Sequence, residues 1–211
     1  MATPQVSLTS PATAVINGNQ NVVIQHSDVQ INEIRDEPIR TTLTNERFGF
    51  RGSFPADWTR QDPENDDGFK FIDKTGRARI LAYAGWVVDD IPKEQMLGMH
   101  GVTEFVAEQT IRYAKEDGAT DLQEVRAGFT AEVTEANEKR SVPLPGIRIE
   151  YNVRIKSEQY HRVISVSAFS EGKTPIHFHV YCELPIPVTR ELDKSCRRTI
   201  ADFRVLAPWQ R

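Results

Sequence analysis

Two histidines and a carboxylate in the stretch IHFHVYCEL, residues 176–184, are the side chains whose types and spacing point most directly to chemistry. In an extended strand His177 and His179 stand at i and i+2 and project from the same face, so both imidazoles can reach one metal ion, with Glu183 as a third ligand. That would be a zinc, iron or manganese site and a metal-dependent enzyme. The competing reading is the wetter face of an antiparallel sheet, with His161 beside Glu183 as a surface pair contributing about 0–1 kcal/mol. Of the two, the sheet face is the reading we carry forward.

The same stretch resembles part of the first cupin motif, with Gly172 upstream, but it departs from that pattern. The glycine stands one residue too near, no glycine follows six residues after Glu183, and a helical pattern begins where a second motif would have to start. Other standard chemistries lack their signatures: there is no GxGxxG after a strand, no GxxxxGK[ST], and no GxSxG elbow. The acidic run Asp62, Glu64, Asp66 and Asp67 lacks the spacing of a calcium loop and reads as solvated loop.

The elements that must position these residues are three amphipathic strands in succession between Gly146 and Leu184. In the first, Ile147, Ile149, Tyr151, Val153 and Ile155 alternate with Arg148, Glu150, Asn152, Arg154 and Lys156, the period of a half-buried strand. In the third, Ile176, Phe178, Val180, Cys182 and Leu184 alternate with His177, His179, Tyr181 and Glu183. A turn at Glu171-Gly172 sets Ile164, Val166 and Ala168 of the middle strand across from Cys182 or Val180, Phe178 and Ile176. A tight turn at Ser157-Glu158 is expected to bring Tyr151, Ile149 and Ile147 against those same middle-strand residues. One face of this meander then gathers Glu150, Asn152, Arg154, His161, Ser165, Ser167, His177, His179, Tyr181 and Glu183.

Upstream, Phe48 to Phe54 reads as a strand with even positions inward, ending in the Pro55-Ala56-Asp57 corner on which Trp58 packs. Phe69 to Ile72 and Arg79 to Val88 form a hairpin about Asp73-Lys74-Thr75-Gly76. Asp89, Asp90, Pro92 and Glu94 start a helix that runs over 92–116 and stops at Gly118. Its inward stripe is Leu97, Val102, Phe105, Val106 and Tyr113, with Gly98 and Gly101 on the same half. Residues 122–134 read as one strand, and Glu135 to Pro145 as a charged loop. A second helix over 189–203 carries Leu192, Cys196, Ile200 and Phe203 on a single stripe, with Arg197 and Arg198 complementing its negative end. Residues 1–40 read as a flexible arm, within which Asn17-Gly18 can close a hairpin, and residues 41–211 as a single α+β domain.

Charge and composition narrow the function. The chain of 211 residues has 26 basic and 30 acidic residues interspersed, for a net charge of -4. No basic stripe marks a nucleic-acid surface. No apolar run approaches the roughly 18–20 residues of a membrane span, and no signal peptide begins the sequence. The chain reads as soluble and cytoplasmic as written, or periplasmic or secreted if a leader has been removed. Cys182 and Cys196 each lie on an apolar face; free buried thiols are the first reading, and a strand-to-helix disulfide the alternative.

The order of a Phe-rich strand ending in Phe54-Pro55-Ala56-Asp57-Trp58, a hairpin, a long helix, an antiparallel run, a short helix and the close Phe203-Arg204-Val205-Leu206 resembles the fold of the PsbP photosystem subunits and the Mog-type Ran-binding proteins. The resemblance covers about residues 45–206. It implies an α+β fold, an antiparallel sheet of six to seven strands flanked by two helices in an α/β/α sandwich, and a mostly non-catalytic, partner-binding or chaperone-like role. No cofactor is expected. The expected partner is another protein, docking on Arg148, Arg154, His177, His179 and Tyr181, because aromatic and arginine side chains are enriched at binding hot spots. The competing expectation is that a helix or the arm of the same molecule covers that face.

Overall fold

The computed structural model describes residues 15–17, 21–23, 39–61, 67–86, 99–135, 138–154, 160–170 and 175–206. The chain divides into two units, Met1–Pro38 and Ile39–Arg211. In the first, β1 (Val15–Asn17) and β2 (Asn21–Val23) pair antiparallel, with Ile16 opposite Val22 and Asn17, expected in the turn, opposite Asn21. The expected helix start at 89–94, Leu97, the turns at 157–158 and 171–172, Ile155, Lys156 and most of the acidic loop 62–66 lie outside the described residues.

The second unit runs β3 (Arg40–Asn45), β4 (Phe50–Pro55), β5 (Thr59–Gln61), β6 (Gly68–Ile72), β7 (Arg79–Trp86), α1 (Met99–Glu116), β8 (Thr120–Arg126), β9 (Phe129–Glu135), β10 (Glu138–Leu144), β11 (Gly146–Arg154), β12 (Tyr160–Phe169), β13 (Ile176–Pro185), α2 (Arg190–Asp202) and β14 (Arg204–Leu206). It is an α+β fold, with a seven-stranded antiparallel sheet in the order β5-β6-β7-β13-β12-β11-β8. A second sheet, β10-β9-β14-β4-β3, was not foreseen. It arises because the expected strand over 122–134 is two: β8 joins the large sheet, the chain breaks at Ala127-Gly128, and β9 crosses to the small one. The expected charged loop after it is β10, paired with β9 from Glu138 opposite Glu135 to Leu144 opposite Phe129.

The two sheets pack face to face, and the main core lies between them. Phe178, Val180, Cys182 and Leu184 of β13, Ile164, Val166 and Ala168 of β12, and Ile80 and Ala82 of β7 meet Phe50, Phe54, Phe129, Val205 and Phe203 from the small sheet and the end of α2. The phenylalanines nest closely, with Phe54 stacked on Phe71 at 4.5 Å and Phe50 on Phe203 at 5.1 Å. Thr189 caps α2 by accepting from Leu192 N–H, and Cys196 and Phe203 of its apolar stripe are buried. Because the stripes of β13 and α2 aim into one core, Cys182 and Cys196 meet there as a disulfide, with Cα atoms 6.1 Å apart, rather than remaining free thiols.

Helix α1 lies on the opposite face of the large sheet. Val102, Phe105 and Val106 pack on Phe169, while Ala107 and Ile111 pack on Ile147, Ile149 and Tyr151. Its stripe therefore turns further than expected: Ala114 is buried and Tyr113 is 57% exposed. The hairpin β6–β7 closes as expected, because the Asp73 carboxylate accepts hydrogen bonds from the N–H groups of Thr75, Arg77 and Ala78, and Gly76 takes φ +74°.

The middle register decides which side chains share a face. Ile164 is opposite Cys182 and Val166 opposite Val180, the first of the two expected alternatives. Strand β11 is shifted by one residue from expectation: Tyr151 faces Val163 and Ile149 faces Ser165. The shift turns Ile147 and Ile149 toward α1 and sends Arg148 and Glu150 toward α2. An apolar set can go to either side here because both faces of the sheet are covered, so hydrophobic parity does not choose between the two registers.

Candidate functional site

On the α1 side of the large sheet, β7, β12 and β13 assemble a ladder of polar and aromatic side chains. Cross-strand pairing sets His179 between Ser167 and Tyr83, and Tyr181 between Ser165 and Leu81. Gly68 stands opposite Tyr83, where any added Cβ would lie 2.6 Å from the tyrosine Cβ, so only glycine lets β6 approach. Tyr83 is thereby held against His179, ring centroids 4.9 Å apart. Phe169, His177 and His179 stack in sequence at 4.6 Å and 5.4 Å.

Every ring nitrogen of His179 is engaged. Nε2 lies 2.7 Å from Ser165 Oγ and Nδ1 lies 2.6 Å from Tyr83 Oη, and His177 Nε2 lies 3.1 Å from Ser167 Oγ. Burial pushes His177 down to about 4, and burial with the neighbouring His177 pushes His179 down to about 3. Burial raises Tyr83, and burial together with the Glu183 charge raises Tyr181. The ladder is therefore uncharged near neutral pH. Imidazoles so depressed are weak bases at neutral pH.

Glu183 does not complete a metal triad. It is 4% exposed and is gripped by its cross-strand neighbour Arg79, whose Nε lies 2.6 Å from Oε2, while the Tyr181 hydroxyl donates to the same oxygen over 3.2 Å. Among the described residues no group of three His, Cys, Asp or Glu lies close enough to hold a metal ion. His161 does not pair with Glu183 either: it stands opposite Pro185, it is buried, and its Nδ1 has no hydrogen-bond partner among the described residues.

Of the five residues expected to form a docking face, His177, His179 and Tyr181 come together. Arg148 and Arg154 do not join them, because the β11 register places both on the other side of the sheet, and Glu150 and Asn152 go with them. Arg154 is exposed, its guanidinium 5.1 Å from the Tyr160 ring. Arg148 enters a cluster that sequence reasoning missed. Glu150, 4% exposed, is met by Arg148 Nε at 3.1 Å, Arg162 at 2.7 Å and Arg197 at 3.3 Å. Burial alone would raise the Glu150 carboxyl, but hydrogen bonds from Arg162 and Arg197 and the charges of Arg197 and Arg148 outweigh it and hold the carboxyl below its ordinary value. Arg197 also hydrogen-bonds Asp193 one turn back. Its place is thus set by two carboxylates rather than by the helix dipole. The signal in the sequence was a lone glutamate between basic residues on β11, readable only with the register known.

A shallow cavity of about 220 Å³ opens elsewhere, lined by Thr44, Asn45, Glu46, Arg47, Arg60, Gly68 and Phe69. Its cations are engaged, Arg47 with Asp67 at 3.0 Å and Arg60 over the Phe69 ring.

No family model matches the chain, and no curated protein matches it. Among solved structures it is similar to a cyanobacterial PsbP (CyanoP) from Synechocystis sp. PCC 6803, at 8% identity over 79% of this chain and 92% of that one, with a TM-score of 0.41. It is similar also to LpqN, involved in cell envelope biogenesis of Mycobacterium tuberculosis, at 11% identity over 79% and 90%, with a TM-score of 0.42. A protein from Bacteroides thetaiotaomicron VPI-5482 shares 12% identity over 78% of this chain and 47% of its own, with a TM-score of 0.39. These likenesses are weak and say nothing of what the chain binds.

Proposed function

We propose that the chain is a non-enzymatic binding protein whose partner is another protein, and that the docking floor is the ladder of Tyr83, His177, His179 and Tyr181 beside α1. The observation that carries this reading is the state of His179, uncharged and hydrogen-bonded through both nitrogens. A metal-binding histidine keeps at least one nitrogen for its ion, and neither nitrogen of His179 is free for one. What remains here is a partly exposed, neutral, aromatic surface with most of its polar groups already satisfied, the composition favoured at the centre of protein interfaces. Among the described residues no helix is long and apolar enough to cross a membrane, and the ladder needs none to be reached.

The test is a pull-down from the native source with wild type, Tyr181→Ala on the ladder and Arg154→Glu on the other face, each checked for folding by circular dichroism. A protein retained by wild type and by Arg154→Glu, and lost at least about tenfold with Tyr181→Ala, is the expected result, since a central aromatic contributes about 2 kcal/mol or more at a hot spot. Equal retention by all three removes the ladder. Stoichiometric zinc, iron or manganese in protein purified without a His tag, lost in the His177→Ala/His179→Ala double variant, would overturn the reading in favour of a metal-dependent enzyme.

A further inference from the structure

The Glu150 cluster lies on the face of the large sheet opposite the ladder, and its charges do not balance. Three guanidinium groups, Arg148, Arg162 and Arg197, touch two carboxylates, Glu150 and Asp193. One positive charge is left over. A tie between α2 and the sheet needs only the contact of Arg197 with Glu150, and two further cations beside the same carboxylate repel Arg197 and each other. Nor do the three arginines spend all their donors on it. The Nε of Arg148 is 3.1 Å from Glu150 Oε1 but its N–H is not aligned with that oxygen, and the Nε atoms of both Arg148 and Arg162 make no hydrogen bond. Each guanidinium carries five N–H donors, and among the described residues Arg148 and Arg162 have no partner but Glu150.

The exposure of the cluster is graded. The Glu150 side chain is 5% exposed, whereas those of Arg148, Arg162 and Arg197 are 32%, 32% and 43% exposed. The anion is therefore at the bottom and the partly exposed cations form the rim, while the unpaired Nε atoms of Arg148 and Arg162 are themselves buried. We propose that Arg148, Arg162 and Arg197 are a capture site for a carboxylate group arriving from solvent, with Glu150 as the built-in anion that gathers the three guanidiniums and keeps them poised. The planar fork of arginine matches a carboxylate in two parallel hydrogen bonds. A single negative charge also matches the single positive charge left over, whereas a phosphate dianion would overshoot it beside Glu150. The carboxylate arrives on a small free acid or on an acidic side chain of a protein, and the recognising chemistry is the same for both. This site stands independently of the ladder.

The experiment is calorimetric titration of the full chain at low ionic strength with three probes: acetate, a blocked peptide with a single glutamate, and inorganic phosphate. Saturable one-to-one binding of a carboxylate probe in preference to phosphate is expected, about tenfold weaker in Arg148→Gln and in Arg162→Gln, where no charge is left over, and unchanged in Arg154→Gln. Tighter binding of the peptide identifies a protein source, and tighter or equal binding of acetate a free acid; both support the site. Glu150→Gln adds one to the charge left over and is expected to shift the preference toward phosphate. If that variant fails to fold, the two arginine variants still decide. No saturable binding by wild type, preference for phosphate, or undiminished binding in Arg148→Gln overturns the proposal.

Discussion

The two faces of the seven-stranded sheet solve burial in opposite ways. Toward the small sheet, β13 presents Phe178, Val180, Cys182 and Leu184, all at 0% exposure, and the solution is apolar packing closed by phenylalanines and a disulfide. Toward α1 the alternate residues of the same strand are His177, His179, Tyr181 and Glu183. There partial burial is tolerated because most polar groups find a partner: serines and Tyr83 for the imidazoles, Arg79 for the carboxylate. The comparison teaches that a polar parity along a strand does not mean a solvated face. A polar face of this kind owes its stability to pairing, and so is sensitive to protonation in a way the apolar face is not.

The sharpest way to break the comparison is to truncate a residue of the apolar face. Phe178→Ala is expected to cost about 3–5 kcal/mol in chemical denaturation, because a buried aromatic leaves a cavity that the two packed sheets do not refill. A cost no larger than that of His177→Ala would mean that the two faces contribute alike.

Acid should separate them next. His177 and His179 have folded pKa values of about 4 and about 3, below the ordinary 6.5. The unfolded chain therefore binds protons between pH 6.5 and 4 that the folded chain refuses, and stability falls as pH is lowered through that window. Above about pH 5 most carboxylates are still ionised in both states, so a melting temperature declining from pH 7 to 5 reports the histidines. The His177→Gln/His179→Gln variant is expected to flatten that decline, and an unchanged slope would place the titration elsewhere.

The smallest expected effect is that of Arg154→Ala, under about 1 kcal/mol, since an exposed guanidinium over Tyr160 contributes little in water. A larger loss would show that this end of β11 is tied down more firmly than its contacts suggest.

Much of the architecture was legible in the residues alone. The alternation in β11 and β13, the Asp73 turn, the Thr189 cap and the α2 stripe each follow from local rules that tertiary contacts did not override. The candidate site was legible only in part. His177, His179 and Tyr181 share a strand and a parity, so their grouping needed no partner strand. Arg148 and Arg154 were joined to them through an assumed pairing of β11 with β12, and a one-residue shift there moved both to the other face. Nothing in the parity could resist that shift, because α1 receives Ile147 and Ile149 on one side as readily as the small sheet would have on the other.

The sequence by itself thus determined periodicity, caps and turns, which are properties of neighbours along the chain and rest on backbone sterics and side-chain spacing. Only the tertiary structure decided which strands paired, that β8 and β9 parted at Ala127-Gly128 to join different sheets, that Cys182 met Cys196, and that Arg148, Arg162 and Arg197 closed on Glu150. Those outcomes depend on contacts between residues far apart in the chain. With both faces of the sheet covered, several pairings bury comparable apolar area, and the choice among them falls to the packing of the whole.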